Sequence, residues 1–301
     1  MDRELIAILF LAILLSGLVS LYCSNLNMIL DRSKLVSFYR RQFVEGMGLV
    51  KAAVTAYPDN ITIYVANDNV LASKALAVLG EYQLAARIQA TLDKNFSRGF
   101  NGKIEILAGE DIPDTFYASY NELVKEVNGY RIVYERLSYS KPIVDWYNYA
   151  DLLVYRALDE LLSGSRLEAE HLFVNLTKLW DGYGFRDKSV NETGIYAIYK
   201  LALFIYLYRA LRAAGSTIIY NYRNIYKQCL EIIKRAQDPV YGGIHTDYEV
   251  RNGEILVQGD VNVETTSIVV LALYSNYPEI IGDRARSNVV LHDSCYGDDL
   301  W

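Results

Sequence analysis

The sequence predicts a mainly all-α domain in which buried, apolar helices alternate with charged, amphipathic ones, with a small β excursion near residues 103–137. Three observations predict it. Apolar residues recur at helical spacing through most of the chain between Ser33 and Tyr274. One set of helices opens with asparagine and an acid and closes in Ala-Leu: Asn67-Asp68…Ala75-Leu76, Asn148…Asp151…Ala157-Leu158, Asn191-Glu192…Ala202-Leu203 and Asn262…Glu264…Ala272-Leu273. The alternate, more charged helices end in aromatic-glycine loops, Ser97-Arg98-Gly99-Phe100, Gly182-Tyr183-Gly184-Phe185 and Tyr241-Gly242-Gly243-Ile244. Apolar helices alternating with amphipathic ones form an inner ring covered by an outer one.

In chain order, Leu5–Tyr22 is apolar except for Ser16, Gly17 and Ser20, long enough to reach across a membrane. No small-x-small site follows, so residues 1–26 are expected to remain as a signal anchor that spans the membrane through residues 5–22. Arg32, Lys34, Arg40 and Arg41 after the span would hold the domain in the cytoplasm. Against that stand four glycosylation sequons, at Asn60, Asn95, Asn175 and Asn191. Large domains also translocate largely regardless of charge. The expectation is a membrane-anchored domain outside the cytoplasm, residues 33–287, with a short tail at 288–301.

Ser33–Thr55 carries Leu35, Phe38, Phe43 and Leu49 near helical spacing, and Tyr57-Pro58-Asp59-Asn60 breaks it. Ile61–Ala66 leads into helices at Val70–Leu79 and Glu81–Leu92. Lys103–Leu107 and Tyr130–Leu137 alternate as short strands do. Helices resume at Val144–Leu162, Arg166–Trp180, Asn191–Ala214, Ile219–Ala236 and Val263–Tyr274. The segment Ile195–Tyr208 is apolar nearly all round, but Lys200 at its centre marks a buried core helix rather than a second span.

On these residues the stretch from about Ser33 to Ser275 resembles the α/α-toroid class. That class includes the six-hairpin glycosidases and, more distantly, the terpenoid cyclase–prenyltransferase group. The resemblance is one of architecture and repeat style, and it extends to about four hairpins of an incomplete ring. It implies that the loops entering the inner helices line one end of a cavity, where the acids of the repeat converge. The chain departs from the terpenoid branch, because the aspartate clusters are absent and Ile244 stands where a Gln-Trp repeat has Trp. No catalytic motif of a named glycosidase family matches.

Composition removes several functions. A net charge of −6 over 301 residues, without a basic stripe, excludes a general nucleic-acid binder. There is no phosphate loop, no GxGxxG before a helix, no Gly-x-Ser-x-Gly elbow and no zinc-ligand spacing. No cofactor or metal is expected. Cys23, Cys229 and Cys295 imply no disulfide framework. Tyrosine stands out, with 26 Tyr against 9 Phe, which suits wet clefts as well as half-buried helix faces.

The densest polar stretch runs from Asp238 to the buried helix ending near Leu273. His245, Asp247, Asp260, Asn262 and Glu264 gather there, more than one helix cap requires. An Asn252-Gly253 turn folds Glu249–Leu256 into a hairpin and is expected to return Asp247 beside Asp260. Asp247 and Glu264 are therefore the candidate acid and base, with Asp68 as a third carboxylate. Asn67 and Asn69 flank Asp68. Asp145, Trp146, Tyr147 and Asp151 have the composition of a sugar-binding wall, with Trp146 as platform. Each has a plainer reading as cap or dipole partner. Ser189-Val190-Asn191-Glu192, a capping box, accounts for Glu192. Two functions follow: a glycan-binding or glycan-cleaving enzyme, and a non-catalytic surface module that holds a protein partner or a Ca-like ion.

Overall fold

The computed structural model describes residues 30–55, 59–96 and 101–277. Described residues 32–277 belong to one compact unit. The expected anchor lies outside the described residues; among those described, no helix is long and apolar enough to cross a membrane.

The all-α expectation is overturned. The described residues are 51% helix and 22% strand, with strands in three sheets. The helices are α1 (Arg32–Gln42), α2 (Val70–Val78), α3 (Tyr82–Asn95), α4 (Ala150–Leu162), α5 (Arg166–Thr177), α6 (Lys188–Thr193), α7 (Ile198–Ala213), α8 (Arg223–Arg235) and α9 (Val263–Tyr274). Alternation of buried and covering helices holds within this half. α9 packs between α2 and α7, and α7 also packs on α4, so four apolar helices stand side by side. The helices α3, α5 and α8 back α2, α4 and α7 respectively. α7 buries twelve side chains from Ile198 to Leu211. Such helices are held by packing, each fully buried Leu or Ile contributing about 1.5–3 kcal/mol.

Several segments expected as helix or short strand belong instead to the sheets and turns. Residues 33–55 do not form one helix: α1 stops at Gln42, and strands β1 (Phe43–Val44) and β2 (Leu49–Val50) follow. Gly48 makes that turn with φ of 70°, packed so tightly on Thr91 that a Cβ would clash. The expected strand at Lys103–Leu107 is a 3-10 turn, Ile104–Ala108. The real excursion is longer and later, a hairpin of β4 (Tyr117–Val127) and β5 (Tyr130–Pro142). β5 also pairs in parallel with β3 (Thr62–Tyr64).

The third sheet orders β6 (Tyr196–Ala197), β7 (Ile244–Arg251) and β8 (Glu254–Asn262). Asn252 and Gly253 both hold positive φ, 52° and 80°, as a two-residue type I′ turn requires. That turn puts Asp247 opposite Gln258 rather than Asp260. A bulge follows. His245 pairs with Val261, so Gly259 and Asp260 together face Thr246. Gly259 adopts φ of 78°, the conformation of a glycine-led bulge. β8 then runs straight into α9, whose N-cap Asn262 accepts from Thr265 N at 2.8 Å.

Candidate active site

Four helix starts meet at one cavity of about 620 Å³. Asp68 lies in the π turn Val65–Asn69 that leads into α2, Asp151 in the first turn of α4, Tyr199 in the first turn of α7 and Glu264 in the first turn of α9. Helix N-termini carry partial positive charge and stabilise nearby anions. Sheets complete the wall: Ser119, Tyr120 and Asn121 from β4, Glu135 from β5, Thr246 and Asp247 from β7, and Asn262 from β8. Asn101 and Lys103 come from the loop before the 3-10 turn.

The carboxylates differ in their surroundings. Glu135 is saturated with donors, taking hydrogen bonds from Asn67 Nδ2, Ser119 Oγ and, at 3.3 Å, Asn101 Nδ2. Asp151 Oδ2 accepts from the Tyr199 hydroxyl at 3.0 Å. Its other oxygen, Oδ1, is buried without a partner among the described residues, as is Asn67 Oδ1. A buried acceptor left unpaired costs about 1–3 kcal/mol, so both oxygens suit a ligand that brings donors. Asp247 Oδ2 accepts from Thr246 Oγ1 at 2.6 Å. The bulge at Gly259 sets this pair. A Cβ on Gly259 would lie 2.0 Å from Thr246 Oγ1 and 2.8 Å from Asp247 Oδ2.

Asp68 is only 3% exposed, and no described group donates to its carboxylate. Burial, then the neighbouring Glu264 and Glu135 charges, hold its carboxyl well above the usual range. Glu264 keeps some accessible surface, yet burial, then Glu135, push its carboxyl up to about 7, with Lys103 opposing. Burial also raises Asp247, against the pull of Thr246 and Lys200. A carboxyl held near 7 with further carboxyl groups around the same cavity is an arrangement that suits a general acid with a partner carboxylate. Among the described residues, no three His, Cys, Asp or Glu side chains come close enough to hold one metal ion. The acids are spread around the wall, with room for a ligand between them.

Of the residues singled out from sequence, Asn67, Asp68, Asp151, Asp247, Asn262 and Glu264 line this cavity. The others do not. Asn69 spends its amide on Val50 N, Val50 O and Tyr64 O, tying β2 to the π turn. Asp145 pairs with Lys188 at 3.0 Å. Trp146 packs on Phe116, ring centroids 5.9 Å apart, and Tyr147 packs on Trp146; neither lines the cavity, so Trp146 is no platform. Both His245 ring nitrogens are occupied, by Gly259 O and Asp238. Asp260 accepts from Thr55 N at 2.7 Å. Glu192 is exposed, but Ser189 does not cap its helix; Asp187 does, accepting from Val190 N.

Sequence reasoning missed Glu135, Asn101, Lys103, Tyr64, Tyr120, Tyr155 and Tyr199. Tyr155 had a usable signal, because it lies four residues after Asp151 and so on the same helix face. Tyr120 is 55% exposed and borders the cavity, a ring available for stacking where Trp146 is not.

No protein-family model matches the chain, and neither the curated proteins nor the solved structures contain a significant match.

Proposed function

We propose that this cavity is the active site of a hydrolase acting on glycans. The observation that carries the reading is the convergence of Asp68, Glu135, Asp151, Asp247 and Glu264 on one polar cavity rimmed by tyrosines. Its volume falls in the range of small-molecule sites, roughly 300–1,000 Å³. Glu264 serves as general acid, delivering its proton to the glycosidic oxygen as the bond breaks. Asp247, aimed by Thr246 and the bulge, serves as the carboxylate partner that activates water or takes the sugar. Asp68, its carboxyl raised by burial and then by the Glu264 and Glu135 charges, contacts a substrate polar group. Tyr120 supplies an apolar face for a sugar ring.

The same reading keeps the enzyme membrane-anchored and outside the cytoplasm. The asparagines of all four sequons are exposed, as a glycosylated surface requires. Protease added to intact cells then degrades the domain, whereas protection beside intact cytoplasmic controls argues against export. Activity is tested by incubating the purified full chain with a panel of oligosaccharides and measuring reducing ends. Release from at least one class supports the proposal, and no release from any argues for a binding role.

A further inference from the structure

Resting on the glycan reading above, we infer that the cavity takes sugars bearing free amino groups and turns away uronates. Its wall is lopsided. Five carboxylates line it and Lys103 is the one lining cation among the described residues. On the β5 side Asn67 Nδ2, Asn101 Nδ2 and Ser119 Oγ each donate to Glu135. That leaves Asn67 Oδ1 as an unpaired acceptor. The Tyr199 hydroxyl is spent on Asp151, whose Oδ1 is a second unpaired acceptor. Asn121 Nδ2 is used on the Tyr64 hydroxyl at 3.1 Å. Asp68, 3% exposed and lining the cavity, has no hydrogen bond to its carboxylate among the described residues.

A ligand matching this wall brings donors and positive charge. An ammonium offers three donors and no acceptor. Acetylating that nitrogen leaves one donor and removes the charge that the five lining carboxylates would meet. A uronate would bring a sixth carboxylate to a wall that already carries five, where burial and then neighbouring charges raise Glu264 and Asp68. Selection here comes as much from the unmatched group as from the matched one.

The test is titration calorimetry on the full chain with three tetramers: glucosamine, N-acetylglucosamine and galacturonate. The glucosamine tetramer binds at least about tenfold more tightly than its acetylated counterpart, and galacturonate does not compete. Asp151→Asn, which keeps the shape and removes a charge, narrows that preference; the wild-type ranking decides the matter if the variant does not fold. Equal or tighter binding of the acetylated or acidic tetramer, or no binding of the glucosamine tetramer, overturns the inference. Reducing-end release in the same samples separates the two ideas. Binding of glucosamine without cleavage sinks the hydrolytic reading and leaves this one, while preferred binding and cleavage of the acetylated tetramer does the reverse.

Discussion

Lys200 Nζ lies 2.5 Å from Asp187 Oδ2, an ion pair whose two side chains are 6% and 0% exposed. Asp187 also caps α6 and accepts Ala150 N at 3.0 Å, the first residue of α4. One carboxylate thus fixes where α4 and α7 begin, and those two starts carry Asp151 and Tyr199 into the cavity. Asp187→Ala leaves a buried ammonium and two orphaned backbone donors. It should cost about 3–5 kcal/mol in urea unfolding. Burial would raise the Asp187 carboxyl, but Lys200 and its hydrogen bonds hold it below the ordinary 3.8. Its contribution is therefore present above that value and lost as pH falls through the lower, folded one. Acid unfolding of Asp187→Asn should lack this limb.

Glu264 shows the opposite sign. Its folded carboxyl sits at about 7 against an ordinary 4.5, so the folded chain holds the proton over that window while the unfolded chain releases it. Stability is full below about 4.5 and declines as pH rises through 7, by on the order of 3 kcal/mol. Glu264→Gln, permanently neutral, should be more stable than the wild type at pH 8 and similar at pH 4. Thermal unfolding at the two pH values checks this, and equal melting curves at pH 8 would speak against a perturbed Glu264.

Gly259 is a test of how Asp247 is aimed. Gly259→Ala must relieve both a positive φ and contacts with Thr246 and Asp247. A loss of about 1–3 kcal/mol is expected, with turnover falling more than stability explains. Retained activity would detach Asp247 from the chemistry.

Tyr120 tests the platform. Tyr120→Ala should raise KM by up to about tenfold with kcat little changed, because stacking is worth about 0.5–1.5 kcal/mol. A fall in kcat at constant KM would assign the residue another role.

Much of the cavity floor was legible because it is built from local signals. Asn and acid before an apolar run mark a helix start, and Asp68, Asp151 and Glu264 are three such starts. The Asn252-Gly253 turn was equally readable, although its two-residue geometry places Gln258, not Asp260, opposite Asp247. The same signal stands at Asn128-Gly129, with φ of 51° and 80°, where it turns β4 into β5. Most of β4 is exposed on both faces, so it lacks the alternation that marks a half-buried strand. Glu135 was invisible for a different reason. It reaches the cavity only because β5 pairs in parallel with β3, some seventy residues upstream, and no local pattern records that pairing. Trp146 looked like a sugar platform on composition alone, but Phe116 occupies its ring.

The most direct measurement is kcat for Glu264→Gln against the wild type on whichever oligosaccharide is cleaved, across pH 5 to 9. With Glu264 as the general acid, wild-type turnover falls as pH rises through about 7. The folded variant loses about a hundredfold or more and shows no such limb. A folded Glu264→Gln that turns over within a few-fold of wild type, with the limb intact, would contradict the account.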